Sequence, residues 1–153
     1  MVKPDGFVDG HPATSRPDLL EGFCRKIIGL VRAKPALWIH AAILITMDEG
    51  GGCYDPGYIQ PLDFFGDGTR APMIVVSPYS RGAGMLHSYS DHVPFEKFVE
   101  ANWRLGTISR WSRDNLPDPV SSHANLYVAL NSPAIGDLMD MFRFHRHPSA
   151  RNR

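Results

Sequence analysis

Apolar positions recur at helical spacing from Pro17 to Ala33, where Leu19 or Leu20, Phe23, Ile27, Leu30 and Val31 share one face, so a helix is predicted there. Ser15, three residues before Asp18, and Pro17 in the first turn mark its start, and Lys34-Pro35 ends it. The pattern then changes. Ala41 to Met47, AAILITM, is a continuous apolar run with no helical stripe, which suits a strand buried on both faces. Met73 to Ser77, MIVVS, is a second such run, stopped by Pro78. Pro94 opens a further helix to about Trp103, with Phe95, Phe98, Val99 and Trp103 on one face. A last helix is predicted from Pro133 to Phe144 through Ile135, Leu138, Met139 and Phe142. Strands alternating with helices place the chain in the α/β class. The 53–72 stretch, CYDPGYIQPLDFFGDGTRAP, is too long and too aromatic for a bare connector, and is expected to pack over a site.

Composition narrows the field. The 153 residues amount to about one domain, with 43% hydrophobic and 21% charged residues, enough to bury a real core. Sixteen basic and sixteen acidic residues cancel to +0, so no global field argues for nucleic acid as a partner or for an anionic membrane. The residues from 145 to 153 read as a frayed basic tail rather than a binding arm. Cys24 and Cys53 form neither a zinc pattern nor a disulfide framework, so they do not reveal the compartment. No apolar run approaches the ~20 residues of a transmembrane segment, and the amino terminus does not read as a signal peptide.

The candidate chemistry sits in loops. Asp48 and Glu49 end the first apolar run and precede Gly50, Gly51 and Gly52, which let the backbone turn sharply and approach a ligand. Adjacent carboxylates at the mouth of a buried strand are costly unless a cation compensates them; otherwise the pair is a solvated turn. His11 precedes the first helix, and His87, Asp91 and His92 follow the second strand. If the strands are neighbours, Asp48-Glu49 and the latter group would share one sheet edge, the usual ligand position in open α/β sheets. Carboxylates with imidazoles suit a hard or borderline divalent metal, which would polarise a phosphoryl or acyl oxygen. Each residue also has a plain structural role open to it: His11 satisfying a loop carbonyl, Asp91 capping the helix opened by Pro94, His92 packing at that helix start. His40 reads as structural, and His123, His145 and His147 lie in tail-like sequence. The GDG at 66–68 lacks the alternating acids of a calcium loop, and there is no P-loop, GxSxG, HExxH or GxGxxG.

The segments LWIHAAILITMDEGGGCYD and PMIVVSPYSRGAGMLHSYSDHVPFEKFVEANW, preceded by VKPDGFVDGHPATSRPDLLEGF, together resemble the bacterial phosphoesterase family. That family includes phosphatidylcholine-type phospholipases C and related acid phosphatases. The resemblance covers nearly all of residues 2 to about 144 and assigns 1–144 to the carboxyl-terminal portion of a phosphoesterase domain. It implies an alkaline-phosphatase-like α/β sandwich, a buried, mostly parallel or mixed sheet flanked by helices. It implies metal-assisted hydrolysis of a phosphomonoester or a phospholipid phosphodiester, with Asp48 and Glu49 as ligands of a divalent metal ion of unassigned identity. His11 matches the histidine that contacts the substrate phosphoryl group, where an imidazole stabilises developing charge. Asp91-His92 matches a recurrent motif, and both residues are carried over as catalytic candidates, His92 ahead of Asp91. The resemblance also implies a periplasmic or secreted location.

Two departures stand out. Family members often follow the DE block with an aspartate–histidine pair, whereas this chain has Asp55-Pro56. Members are also several hundred residues long, with further metal ligands and a hydroxyl nucleophile in an amino-terminal half. The 153 residues contain no such segment, and no Ser or Thr among them stands in a nucleophile context; Thr46, Ser77 and Ser80 read as structural. The expectation is a phosphoester hydrolase lacking that half. The alternatives are a non-catalytic remnant or metal-binding module that needs a partner half, and a surface-binding domain using the aromatic 53–72 loop. Removing half of a central sheet would expose apolar edges and lower solubility.

Overall fold

A computed structural model describes residues 1–144; the basic tail expected over 145–153, with His145 and His147, lies outside them. The chain forms two compact units, one from Met1–Tyr54 and Ala71–Ser80, the other from Asp55–Arg70 and residues 81–144.

In the first unit, helix α1 (Pro17–Arg32) matches the predicted span, with Pro17 in its first turn and Ala33 closing its end through a bond to the Gly29 carbonyl. The expected Ser15 cap does not form: Arg16 is the N-cap residue, its side chain pairs with Asp18, and the Ser15 hydroxyl donates to the Phe7 carbonyl at 2.9 Å. A short helix α2 (Pro35–Trp38) follows. Strands β1 (Ile43–Thr46) and β2 (Met73–Val76) lie within the two predicted apolar runs. They are half-buried along β1, not sealed on both faces.

The two strands pair antiparallel, with Ile43 opposite Val76 and Thr46 opposite Met73. A parallel pair needs a crossover, usually helical, and residues 47–72 between β1 and β2 contain no helix. The register therefore corrects one expectation. The carboxyl ends of β1 and β2 lie at opposite ends of the ladder, so Asp48-Glu49 and the His87, Asp91, His92 group do not extend from one sheet edge. Among the described residues the sheet has two strands, and a full sandwich is not present in them.

The second unit holds the buried apolar side chains among the described residues: Leu62, Ala129, Ala134, Ile135, Leu138 and Phe142. Helix α3 (Pro94–Trp103) has the predicted bounds but not the predicted face. It buries Pro94 and Lys97, while Val99 and Trp103 are exposed. The Lys97 ammonium is tolerated there because it donates to the carbonyls of Leu116 at 2.8 Å and Ile135 at 2.6 Å and pairs with Asp118 at 3.0 Å.

The last predicted helix is absent. Only a turn of 3-10 helix, Met139–Met141, forms in that stretch. Leu138 sits at φ 62, a left-handed conformation that breaks helical continuation, and the Asp137 carboxylate accepts from the Met139 amide. Ile135, Leu138 and Phe142 are nevertheless buried, and Phe142 stacks on Phe98 at 5.1 Å. The apolar spacing reported burial correctly and helix wrongly.

Candidate functional site

The first unit brings two of the sequence-derived groups together. His11 lies in the loop before α1, and Asp48-Glu49 lie just beyond β1. Two glycines make the arrangement possible. Gly10 has φ 83, and a Cβ there would lie 2.7 Å from the Leu20 Cδ2, so the loop seats tightly on α1. Gly51 has φ 64, and a Cβ there would lie 3.1 Å from the Pro12 ring, so the His11-Pro12 loop rests against the turn that follows the acidic pair. Both positions take backbone angles that L side chains rarely adopt.

Within its loop, His11 is exposed and held by a local network. Its amide donates to the Asp9 carboxylate at 2.8 Å, its carbonyl accepts from Thr14 and Ser15, and its Nδ1 accepts from the Ala13 amide at 3.2 Å. A ring whose Nδ1 accepts leaves Nε2 as the donor in the neutral imidazole. Asp48 and Glu49 are exposed. Their oxygens suit a hard cation, which takes at least six oxygen ligands in the calcium case. Among the described residues no group of three or more His, Cys, Asp or Glu is gathered as a metal would need. The pair therefore falls short of a complete metal site, and no reaction step is assigned through a metal.

Asp91 and His92 belong to the second unit, whereas His11, Asp48 and Glu49 belong to the first. Both Asp91 oxygens are engaged: Oδ1 accepts from the Val93 amide at 2.8 Å and Oδ2 from the Arg113 guanidinium at 3.1 Å. Val93, not Asp91, is the N-cap residue of α3. His92 is exposed and stacks on Phe95 with ring centroids 6.4 Å apart, and His87 meets Tyr127 edge-on at 4.9 Å.

Arg113 organises this second unit, and sequence reasoning passed it over. It donates to the Asp63 carboxylate at 2.7 Å, to Asp91, and to the Gly66 carbonyl at 2.7 Å, with Asp67 at 3.9 Å. The guanidinium holds the Asp63 carboxyl below the usual carboxylate range. Tyr89 donates to Asp67 at 2.7 Å and accepts from the Gln60 amide, and burial first, then Asp67, raises its phenol above the ordinary range. Arg113 lies 50 residues from Asp63, so no local spacing could have announced the contact.

The Asp55-Pro56 departure also has a structural explanation. Asp55 accepts from the Arg70 guanidinium at 2.5 Å, the Arg70 amide at 2.8 Å and the Gly57 amide at 2.8 Å, and these bonds hold its carboxyl well below the usual range, the Arg70 side chain foremost. The pair closes the 55–70 segment at its two ends. A Cβ at position 57 would lie 2.1 Å from the Arg70 guanidinium carbon, so a side chain there would displace the Arg70 head group from its place beside Asp55. Phe64 and Phe65, expected to pack over a site, stand in solvent instead. Cys24 and Cys53 are free thiols.

The profile of the Phosphoesterase family matches residues 1–106. Phospholipase C B of Mycobacterium tuberculosis is 28% identical over 144 residues, covering 78% of this chain and 24% of the relative. Phospholipase C A of the same organism is 28% identical over 131 residues, covering 67% and 25%. The non-hemolytic phospholipase C of Pseudomonas aeruginosa is 24% identical over 157 residues, covering 80% and 22%. The chain thus spans about a quarter of the length of these relatives.

Proposed function

Because this chain belongs to the phosphoesterase family, whose profile covers residues 1–106 of its 153, we propose that it contributes to the hydrolysis of phosphate esters. The substrate is a phosphomonoester or a phospholipid phosphodiester, the latter suggested by the phospholipases C to which the chain is similar. The observation that carries this reading is the seating of Pro12 on Gly51, which sets the His11 loop against the acidic turn. His11 donates from Nε2 to a phosphoryl oxygen and stabilises charge that develops there. Asp48 and Glu49 serve as part of a divalent ion's ligand set, a role that fits their oxygen chemistry. Asp91 acts as a positioning residue through Arg113, and His92 as the exposed polar group beside it. The alkaline-phosphatase-like sandwich and an exported location belong to the same proposal and rest on the family resemblance. No described helix is long and apolar enough to cross a membrane.

The shortfall in ligands favours one other reading, a metal-binding module without turnover that needs a partner half. One experiment separates them. Calorimetric titration with Ca²⁺, Mn²⁺ and Zn²⁺ is compared for the parent, Asp48→Asn and Glu49→Gln, alongside hydrolysis of p-nitrophenyl phosphate and p-nitrophenyl phosphorylcholine. The hydrolase reading expects turnover that His11→Ala lowers by ~10²–10³-fold while metal binding persists. Metal binding without turnover supports the module. Metal binding indifferent to both carboxylates removes Asp48 and Glu49 from the site.

A further inference from the structure

Two carboxyls in the second unit meet side by side. Glu100 lies in the last turn of α3, and Asp114 lies in the turn of 3-10 helix Arg113–Asn115. Their side chains are within hydrogen-bond reach of one another. Asp114 is only 5% exposed, and donors surround it: the Ile108 amide on Oδ2 at 2.6 Å and the Ser112 hydroxyl on Oδ1. Glu100 has the opposite surroundings. Its Oε1 is buried, and no donor reaches it. An ionised carboxylate with a buried, donorless oxygen is costly, whereas a protonated carboxyl tolerates burial and has a hydrogen of its own to donate.

Among the described residues no cation is paired with either carboxyl. Lys97, one turn back on α3, donates to the Leu116 and Ile135 carbonyls and pairs with Asp118. Arg113, beside Asp114 in sequence, donates to Asp63, Asp91 and the Gly66 carbonyl. Arg104 is exposed, and Glu96 adds a second negative charge on Glu100's own helix. Burial first, and Asp114 next, accordingly raise the Glu100 carboxyl above its ordinary value. Burial pushes on Asp114 in the same direction, but Ser112, the Ile108 amide and Glu100 together hold it below its own. Where two carboxyls meet, the one with donors keeps the charge and the one without keeps the proton.

We infer that Glu100 and Asp114 share one proton, which latches the end of α3 to the turn at Arg113–Asn115 and lets the loop between them open as pH rises. In the closed form Glu100 donates to the Asp114 carboxylate. The same two residues hold the loop's backbone: the Leu105 amide donates to the Glu100 carbonyl at 2.9 Å, and the Ile108 amide to Asp114. Loss of the proton leaves two carboxylates in contact, and the half-buried Glu100 side chain relieves them by turning to solvent. The sign follows from the protons bound. Above the ordinary glutamate value of 4.5 the folded form keeps a proton that the unfolded chain has released. The latch is therefore intact below that pH and is lost as pH rises through the folded value. This device goes beyond the proposed hydrolysis and does not depend on it.

The test is a carboxyl-carbon NMR titration of the full chain, with amide-exchange protection at Ile108, corrected for intrinsic base catalysis, read in parallel. The Glu100 resonance is expected to titrate above 4.5, and the Asp114 resonance to inflect at the same pH, because interacting groups titrate as a pair. Protection at Ile108 should fall ~10-fold for each pH unit between 4.5 and the folded value. Glu100→Gln keeps the side chain's shape and cannot ionise, so it should abolish the Asp114 inflection and hold Ile108 protection level with pH. Glu96→Gln should leave the shared inflection in place. A Glu100 resonance that titrates at or below 4.5, or an Asp114 resonance that inflects at another pH, overturns the shared proton. A shared inflection with unchanged protection at Ile108 overturns the latch. The parent's own titration decides the first point even if Glu100→Gln fails to fold.

Discussion

Replacing Gln60 with leucine should destabilise the second unit more than any change of similar size at its surface. Gln60 is 1% exposed, and its amide spans the two sides of Ala134. Oε1 accepts from the Ala134 amide at 2.8 Å and from the Ser132 hydroxyl at 2.6 Å, while Nε2 donates to the Ala134 carbonyl at 2.9 Å. Ala134 itself is wholly buried, so water cannot replace the lost partners. Leucine has similar volume and leaves no large cavity; it leaves two backbone groups unpaired. Each such group costs ~1–3 kcal/mol. Relief from burying the glutamine amide offsets part of this, leaving a net loss of about 2–4 kcal/mol. Ser132→Ala, which removes one of the bonds and exposes nothing new, should cost only about 0.5–1.5 kcal/mol. Urea unfolding followed by circular dichroism measures both, and amide exchange at Ala134 reads the local effect. A loss under about 0.5 kcal/mol for Gln60→Leu, below what even one unpaired buried group costs, would refute the reasoning.

Two further outcomes follow from the loops. Gly51→Ala and Gly52→Ala both force a side chain into positive φ, at 64 and 73, but only the former meets Pro12. Both should lose ~1–2 kcal/mol of stability; Gly51→Ala alone should displace the His11 loop, visible as a shifted His11 ring resonance, and equal resonances in both variants would contradict it. Acid should weaken the 55–70 closure. Asp55 has a folded pKa held below its unfolded value by Arg70, so its contribution is present above about pH 4 and is lost as pH falls through the folded value. Asp55→Asn should therefore show a shallower acid unfolding profile below about pH 4, and a profile as steep as the parent's would count against the pair.

The sequence made the elements with strong local rules legible. Pro17 and Pro94 opened helices where expected, and the two apolar runs became β1 and β2. The glycines after Glu49 were singled out for sharp turning and for close approach to a ligand; Gly51 does turn sharply, at φ 64, and its close neighbour is the Pro12 ring. Strand direction was not legible, because it depends on how the 47–72 segment returns the chain. The buried Lys97 contradicted the apolar stripe of α3, since its partners Leu116, Asp118 and Ile135 lie 19 to 38 residues away. The stretch 133–144 carried helical spacing, but Leu138 in a left-handed conformation redirected the chain while keeping the same side chains inside. Arg113 escaped notice for the same reason as Lys97. A long side chain that gathers distant carboxylates and carbonyls leaves no mark in its own neighbourhood.

Lys97 gives the folded protein a chemical signature. The chain has four lysines, and Lys3, Lys26 and Lys34 stand in solvent on the first unit. Lys97 has its nitrogen wrapped by two carbonyls and a carboxylate. An amine-acylating reagent should thus modify those three lysines and the Met1 α-amine quickly, and reach Lys97 only when α3 lifts from residues 116–135. The mass of the labelled protein becomes a clock for opening of that one unit, read without any probe being engineered into it.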